Sequence, residues 1–175
     1  MLTDADRRRP AYHEAGHAII GHLLPNCDPI HKVTIIPRGM AGGYTWMLPD
    51  EERRMYSRSK FVDDLSMALG GRAAEEIVFG DITTGASGDL QRVTEIARDM
   101  VTRLGMCEEL GPLTYGRRQQ SLYLGGDYLE EKNYSDDTAR QIDSAVKALV
   151  EEAHGRARGI LEQKRTGLHA LAALL

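Results

Sequence analysis

A mainly α fold with a small β-sheet is the class that the 175-residue sequence predicts. Three observations carry that expectation. Long stretches repeat apolar residues every three or four positions, two short stretches are rich in β-branched and aromatic residues, and glycine and proline gather between them. The composition is globular, 42% hydrophobic and 27% charged, and the length suffices to bury a core in one domain. A net charge of −4 with the two signs mixed along the chain argues against a nucleic-acid face. Cys27 and Cys107 are far apart and outside any CxxC spacing, so both read as free thiols in a reducing compartment. No apolar run approaches the roughly 18–20 residues of a membrane span, and "MLTDADRRRP" holds no apolar signal-peptide core. A soluble intracellular polypeptide without direct membrane contact is expected.

The first helix is expected to start near Arg7 to Pro10, with Asp4 or Asp6 as cap and the proline in its first turn, and to run to Leu24 before Pro25-Asn26. "HKVTIIP" (31–37) and "GYTWML" (43–48) read as strands of a small sheet, joined through "RGMAG". From Ser57 to Phe79, Phe61, Val62, Leu65, Leu69, Ala73 and Ile77 recur at helical spacing. Gly70-Gly71 weakens that helix by about 1 kcal/mol per glycine, which suggests close approach of another backbone or side chain. A glycine-rich loop, "GDITTGASGD", precedes an amphipathic helix over 87–104, with Leu90, Val93, Ala97, Met100 and Val101 among its apolar residues. The segment 105–134 reads as irregular with a short strand at 121–124. Ser135 caps a long helix from Asp136 to about Gln163, with acids in its first turn, and a last helix covers 167–174.

Chemistry is concentrated in "AYHEAGHAIIGHLLP". Helical residues i and i+4 lie one above the other, so His13 and His17 can reach one tetrahedral Zn²⁺, with Glu14 beside them. A zinc ion lowers the pKa of water towards about 7, where a carboxylate can take its proton. The implied reaction is attack of Zn²⁺-activated water on a peptide carbonyl with Glu14 as general base. The plain alternative is a helix with two ordinary histidines; the strongly apolar setting speaks against it, because buried histidines need partners. His22 lies off the His13/His17 face, and His31, His154 and His169 show no ligand spacing.

A catalytic zinc requires a third protein ligand. "HAIIGHLLP" lacks the further histidine of an extended HExxHxxGxxH motif, so that ligand comes from far along the chain, as a carboxylate. Glu75-Glu76 and Asp89 are the candidates, and residue chemistry leaves them even. The two glutamates also suit a solvated helix face, and an acid in a first helical turn is favoured by the dipole without any metal.

"AYHEAGHA", "KVTIIPRG", "LGGRAAEEIVFG", "TTGASGDLQRVTEIARDMVT", "LGMCEELGPLTY" and "YSDDTARQIDSAVKALV" stand in an order and spacing that resemble the peptidase domain of the FtsH-type ATP-dependent zinc metalloproteases. The resemblance runs from about Asp6 to Leu175. It implies an HExxH zinc peptidase domain over 1–175, with an active-site half at 6–104 and a long C-terminal helical region at 105–175. His13, His17 and Asp89 would hold one Zn²⁺ per chain, Glu14 would be the catalytic base, and Glu75 would sit behind the ligands, bonded to a ligand histidine. Gly43, Tyr44, Thr45 and Trp46 would form a strand that pairs with extended substrate through main-chain hydrogen bonds. Two departures stand out: Gly88 replaces the family's usual asparagine, implying a looser loop, and "GMAGG" (39–43) differs from the more basic family version. No GxxxxGK[ST] occurs, so ATP and Mg²⁺ would belong to an ATPase module outside this chain, as would membrane helices. The implied parent is a homohexamer on the cytoplasmic face of the bacterial plasma membrane, serving protein quality control by degrading unfolded or membrane-extracted polypeptides. Two rivals are a non-catalytic oligomerisation module with a vestigial site, and a different zinc peptidase using Glu75 or Glu76 as third ligand.

Overall fold

A helix of 20 residues, Asp4–Leu23 (α1), opens the computed structural model, which describes residues 4–36, 43–48, 55–120 and 128–175. It starts earlier than the sequence suggests, so Pro10 lies inside the helix and not in its first turn. Proline there removes one backbone donor, but it does so upstream of the buried stretch that begins at Ala11. The chain then turns into Ile30–Thr34 (β1), which pairs antiparallel with Tyr44–Met47 (β2) in the register Lys32↔Trp46, Val33↔Thr45, Thr34↔Tyr44. Residues 37–42, and with them most of "GMAGG", lie outside the described residues.

The expected helix over 57–79 is two helices, Arg58–Ala68 (α2) and Gly70–Phe79 (α3), broken at Leu69. Glycine's weak helix propensity permits the break, and tertiary packing uses it. A Cβ on Gly70 would come within 2.8 Å of the Gly16 carbonyl oxygen, and one on Gly16 within 2.3 Å of the Gly70 carbonyl oxygen. Here α1 and α3 cross backbone to backbone. Gly80, at φ 64°, ends α3 in the left-handed region that glycine adopts without strain.

A 3₁₀ turn at Thr84–Ala86 leads into Ser87–Thr102 (α4), which places Gly88 in the first turn of a helix and not in the preceding loop. Arg117–Gln120 (β3) and Tyr128–Glu131 (β4) form a second antiparallel pair. The strand expected at 121–124 falls outside the described residues, and the observed strands escape a sequence search because neither alternates apolar with polar residues. Asp136–Gln163 (α5) starts on Ser135, whose hydroxyl oxygen accepts the Thr138 N–H at 3.1 Å, and Arg165–Leu174 (α6) follows.

The core is one cluster. Ala15 and Ile20 of α1, Leu65 of α2, Ala73 of α3, Met100 of α4, Ile142 and Leu161 of α5 and Leu168 of α6 are all buried in it. Helix α5 packs across α2, α3 and α4, and α6 packs on α1, so the C-terminal region completes the interior that the active-site half begins. No helix among the described residues is long and apolar enough to cross a membrane. Cys27 and Cys107 are free thiols.

Candidate metal centre

The buried face of α1 carries polar groups where an ordinary helix would bury only apolar ones. His13, Glu14 and His17 are 9%, 6% and 8% exposed. Burial of this kind demands partners. The His13 imidazole lies so close to α3 that a Cβ on Gly71 would meet its ring atoms at 2.5 Å. The glycine pair noticed in the sequence therefore makes room twice, Gly70 for the α1 backbone and Gly71 for a histidine ring.

Each ring is held from behind through Nδ1. His17 Nδ1 lies 2.8 Å from the carbonyl oxygen of Met67, at the end of α2. A carbonyl only accepts, so Nδ1 carries the proton and Nε2 of a neutral ring is a bare lone pair. His13 Nδ1 donates to Glu75 Oε1 at 2.8 Å, which leaves its Nε2 in the same condition. These two Nε2 atoms face one another at 3.0 Å, and Asp89 Oδ2 lies 3.1 Å from the first and 3.3 Å from the second.

Three lone-pair donors converge with no proton left to share among neutral rings. Ligands about 2.0–2.1 Å from a tetrahedral zinc are about 3.3 Å apart, so the observed triangle has the size such an ion needs. Among the described residues, His13, His17 and Asp89 are the group of histidine, cysteine and acid side chains with this convergence. Burial works against the Asp89 carboxylate, but the two imidazoles outweigh it and hold the group well below the usual carboxylate range. Burial likewise favours a neutral His13, and Asp89 and Glu75 overcome that, raising it above its ordinary value.

The two candidate glutamates part company. Glu75, 2% exposed, faces Nδ1 of His13, the side of the ring away from the triangle. Its other oxygen accepts the Thr83 hydroxyl at 2.9 Å, and the Arg9 guanidinium stands 3.9 Å off. Glu76 turns away to Arg72 at 3.0 Å and His154 at 3.1 Å. Of the remaining histidines, His22 is exposed, His31 stacks edge-on to Trp46, and His169 Nδ1 is hydrogen bonded to the Tyr12 hydroxyl at 2.7 Å.

Glu14 points into an open cleft of about 520 Å³ that the triangle floors. Its Oε2 accepts the Thr45 hydroxyl at 2.8 Å, and Gly43 lies so near that a Cβ there would meet Glu14 Oε1 at 2.9 Å. Strand β2 is thus one wall, with Gly43, Tyr44, Thr45 and Met47 on the cleft; the start of α4 is another. Trp46 points away from Thr45 along the strand and is 48% exposed. Sequence reasoning assigned Thr45 to a substrate-binding strand but missed that its hydroxyl holds Glu14. It also missed Arg9, although that residue stands one helical turn before His13, and it missed Thr83 and the Met67 carbonyl, which have no spacing signal relative to HExxH.

The whole chain, residues 1–175, matches the family model described as Peptidase family M41. The chain belongs to peptidase family M41. Among M41 relatives, it is 51% identical over 172 residues to the ATP-dependent zinc metalloprotease FtsH of Veillonella parvula, covering 98% of this chain and 27% of that protein. It is 53% identical over 175 residues to the FtsH of Chloroflexus aggregans, covering 98% of this chain and 27% of the relative. FtsH 3 of Symbiobacterium thermophilum is 50% identical, with 100% of this chain and 28% of the relative covered. The chain therefore spans a little over a quarter of the length of these M41 relatives.

Proposed function

We propose that this chain is the zinc endopeptidase part of a larger ATP-dependent protease. The observation that carries the reading is the triangle of His13 Nε2, His17 Nε2 and Asp89 Oδ2, three electron-pair donors drawn together on one side of Glu14. In this reading the three hold Zn²⁺, and Glu75 and the Met67 carbonyl fix the tautomer and aim of the two rings. Bound there, Zn²⁺ supplies Lewis acidity towards water and the scissile carbonyl. Glu14, aimed by Thr45, takes a proton from the attacking water and returns it to the leaving amine. Extended substrate lies along β2 of the small sheet, where Gly43, Tyr44 and Thr45 line the cleft and Trp46 continues the strand. Affinity carried by main-chain hydrogen bonds suits a protease of broad sequence tolerance.

The names of the relatives support ATP-dependent proteolysis for the parent protein. In our reading an ATPase module that binds ATP and Mg²⁺ delivers unfolded or membrane-extracted polypeptides to this domain. We place the parent as a homohexamer anchored in a bacterial plasma membrane with the peptidase on the cytoplasmic face, acting in protein quality control. The halves 6–104 and 105–175 then serve as active site and helical support of one peptidase domain.

Metal analysis combined with cleavage of casein, an unfolded protein, tests the core of this reading. Glu14→Gln is expected to keep one zinc per chain and lose about 10²–10⁴-fold in rate. Asp89→Ala is expected to lose stoichiometric zinc, whereas Glu75→Ala retains it with lower affinity. Wild-type cleavage by Glu14→Gln would remove the mechanism, and full zinc in Asp89→Ala would overturn the ligand set. Added ATP is expected to leave casein cleavage by this chain unchanged.

A further inference from the structure

The cleft is bordered by two arginines that the chemistry above leaves unused, and they differ in how they are held. Arg9, one helical turn before His13, lies over the Phe79 ring at 4.7 Å and faces Glu75 and Asp81 at 3.9 and 3.8 Å. It is held against the wall by ring stacking and charge, although its Nη1 makes no hydrogen bond among the described residues. Arg92 also borders the cleft, but it is exposed and has no hydrogen bond or ion pair among the described residues; its charge reaches Asp64 only through space.

Arg92 follows Asp89 by three residues on α4, about 4.5 Å further along the axis. Residues i and i+3 share a helix face, and helical side chains lean towards the N-terminus, which aims Arg92 back over the turn that carries Asp89. Arg92 rises from α4, whereas Arg9 lies against Phe79 and Glu75 of α3. The other charged groups that line the cleft, Glu14, Glu75 and Asp89, are carboxylates. A bound Zn²⁺ would offset Glu14 and Asp89, which leaves the unpaired charge of Arg92 to act on a substrate glutamate or aspartate near the scissile bond.

We propose that Arg92 is a specificity-determining residue that receives an acidic substrate side chain one or two positions from the cleaved bond. This rests on the endopeptidase reading above. The spacing follows from the chain dimensions: an extended peptide advances about 3.3 Å per residue, so an offset of about 4.5 Å along α4, shortened by the backward lean of the side chain, keeps the guanidinium within one or two residues of the metal centre. The guanidinium fork matches a carboxylate in two parallel hydrogen bonds, a geometry that lysine does not reproduce.

Binding, not turnover, tests this. Zinc-loaded Glu14→Gln protein is titrated with fluorescent peptides identical except for one glutamate or glutamine walked along the sequence. At low salt, one position is expected to bind about five-fold more tightly as glutamate, the upper end for a partly exposed ion pair. In Glu14→Gln/Arg92→Gln that preference falls to unity, in Arg92→Lys part of it returns, and in Arg92→Glu it reverses in favour of a lysine peptide. High salt is expected to flatten the preference. An equal glutamate preference with and without Arg92, or no preference at any position, overturns the proposal. If the protein with Glu14 intact cleaves none of these peptides, the hydrolytic reading fails, while the binding ratios still decide for or against Arg92.

Discussion

On the helical side of the cleft, α1 and α3 lie so close that Ala15, Ala73 and Ala74 are fully buried and glycines mark the crossing. On the strand side, β1 and β2 form a two-stranded sheet with Trp46 about half exposed and Ile36 68% exposed. The side that carries the two histidines is packed backbone to backbone; the side that receives peptide in the reading proposed above is open to solvent. Metal coordination needs atoms fixed within tenths of an ångström, whereas a strand that pairs with many peptides needs an accessible edge. The glycine crossing supplies the first and the small, half-covered sheet the second.

Substitutions graded along this contrast test it. Gly16→Ala strikes the tightest point, backbone against Cβ, and is expected to cost about 3 kcal/mol and lower the melting temperature by roughly 10 °C in a thermal scan. A loss below 1 kcal/mol would show that the helical wall yields after all. Gly71→Ala pushes on the His13 ring and is expected to weaken zinc binding about 10–100-fold by chelator competition, with a smaller effect on unfolding. Thr45→Val removes the hydroxyl from Glu14 and is expected to lower kcat about ten-fold, with KM little changed and zinc content intact. An unchanged kcat would mean that Gly43 and the cleft wall aim Glu14 without it. Trp46→Ala, on the open side, removes an edge-on contact with His31 and is expected to cost about 1 kcal/mol in urea titration.

Cys27, in the turn that joins α1 to β1, offers a probe of how tightly the two sides are joined. Burial foremost, then the Asp64 and Asp63 carboxylates, push its thiol up to about 12. The folded state keeps the proton that the unfolded chain releases above its ordinary value near 9. Its contribution to stability is therefore complete below pH 9 and lost as pH rises towards 12. Alkaline unfolding is expected to be less steep in Cys27→Ala than in the unaltered chain. Equal slopes would place the thiol in contact with water.

How much of this was legible in the sequence depends on where the information resides. His13, Glu14 and His17 were readable because their relation is local, fixed by helical periodicity alone. Asp89 and Glu75 could not be ranked from residue type, since what separates them is the ring nitrogen each one faces, and that is a tertiary fact. Gly70-Gly71 announced a close approach, but the break at Leu69 came from the crossing with Gly16, 54 residues upstream of Gly70 by the numbering. The Met67 carbonyl left no trace at all, because every residue has one. Strands β3 and β4 were missed for want of apolar alternation, and the tail of the expected α4 beyond Thr102 frays into a turn.

Tyr12, next to His13, reaches through its hydroxyl to His169, 157 residues later. Without α6, Tyr12 and the outer side of α1 lack their cover. The first and last helices are thereby stapled together, and loss of α6 is expected to loosen the very turn that carries both imidazoles.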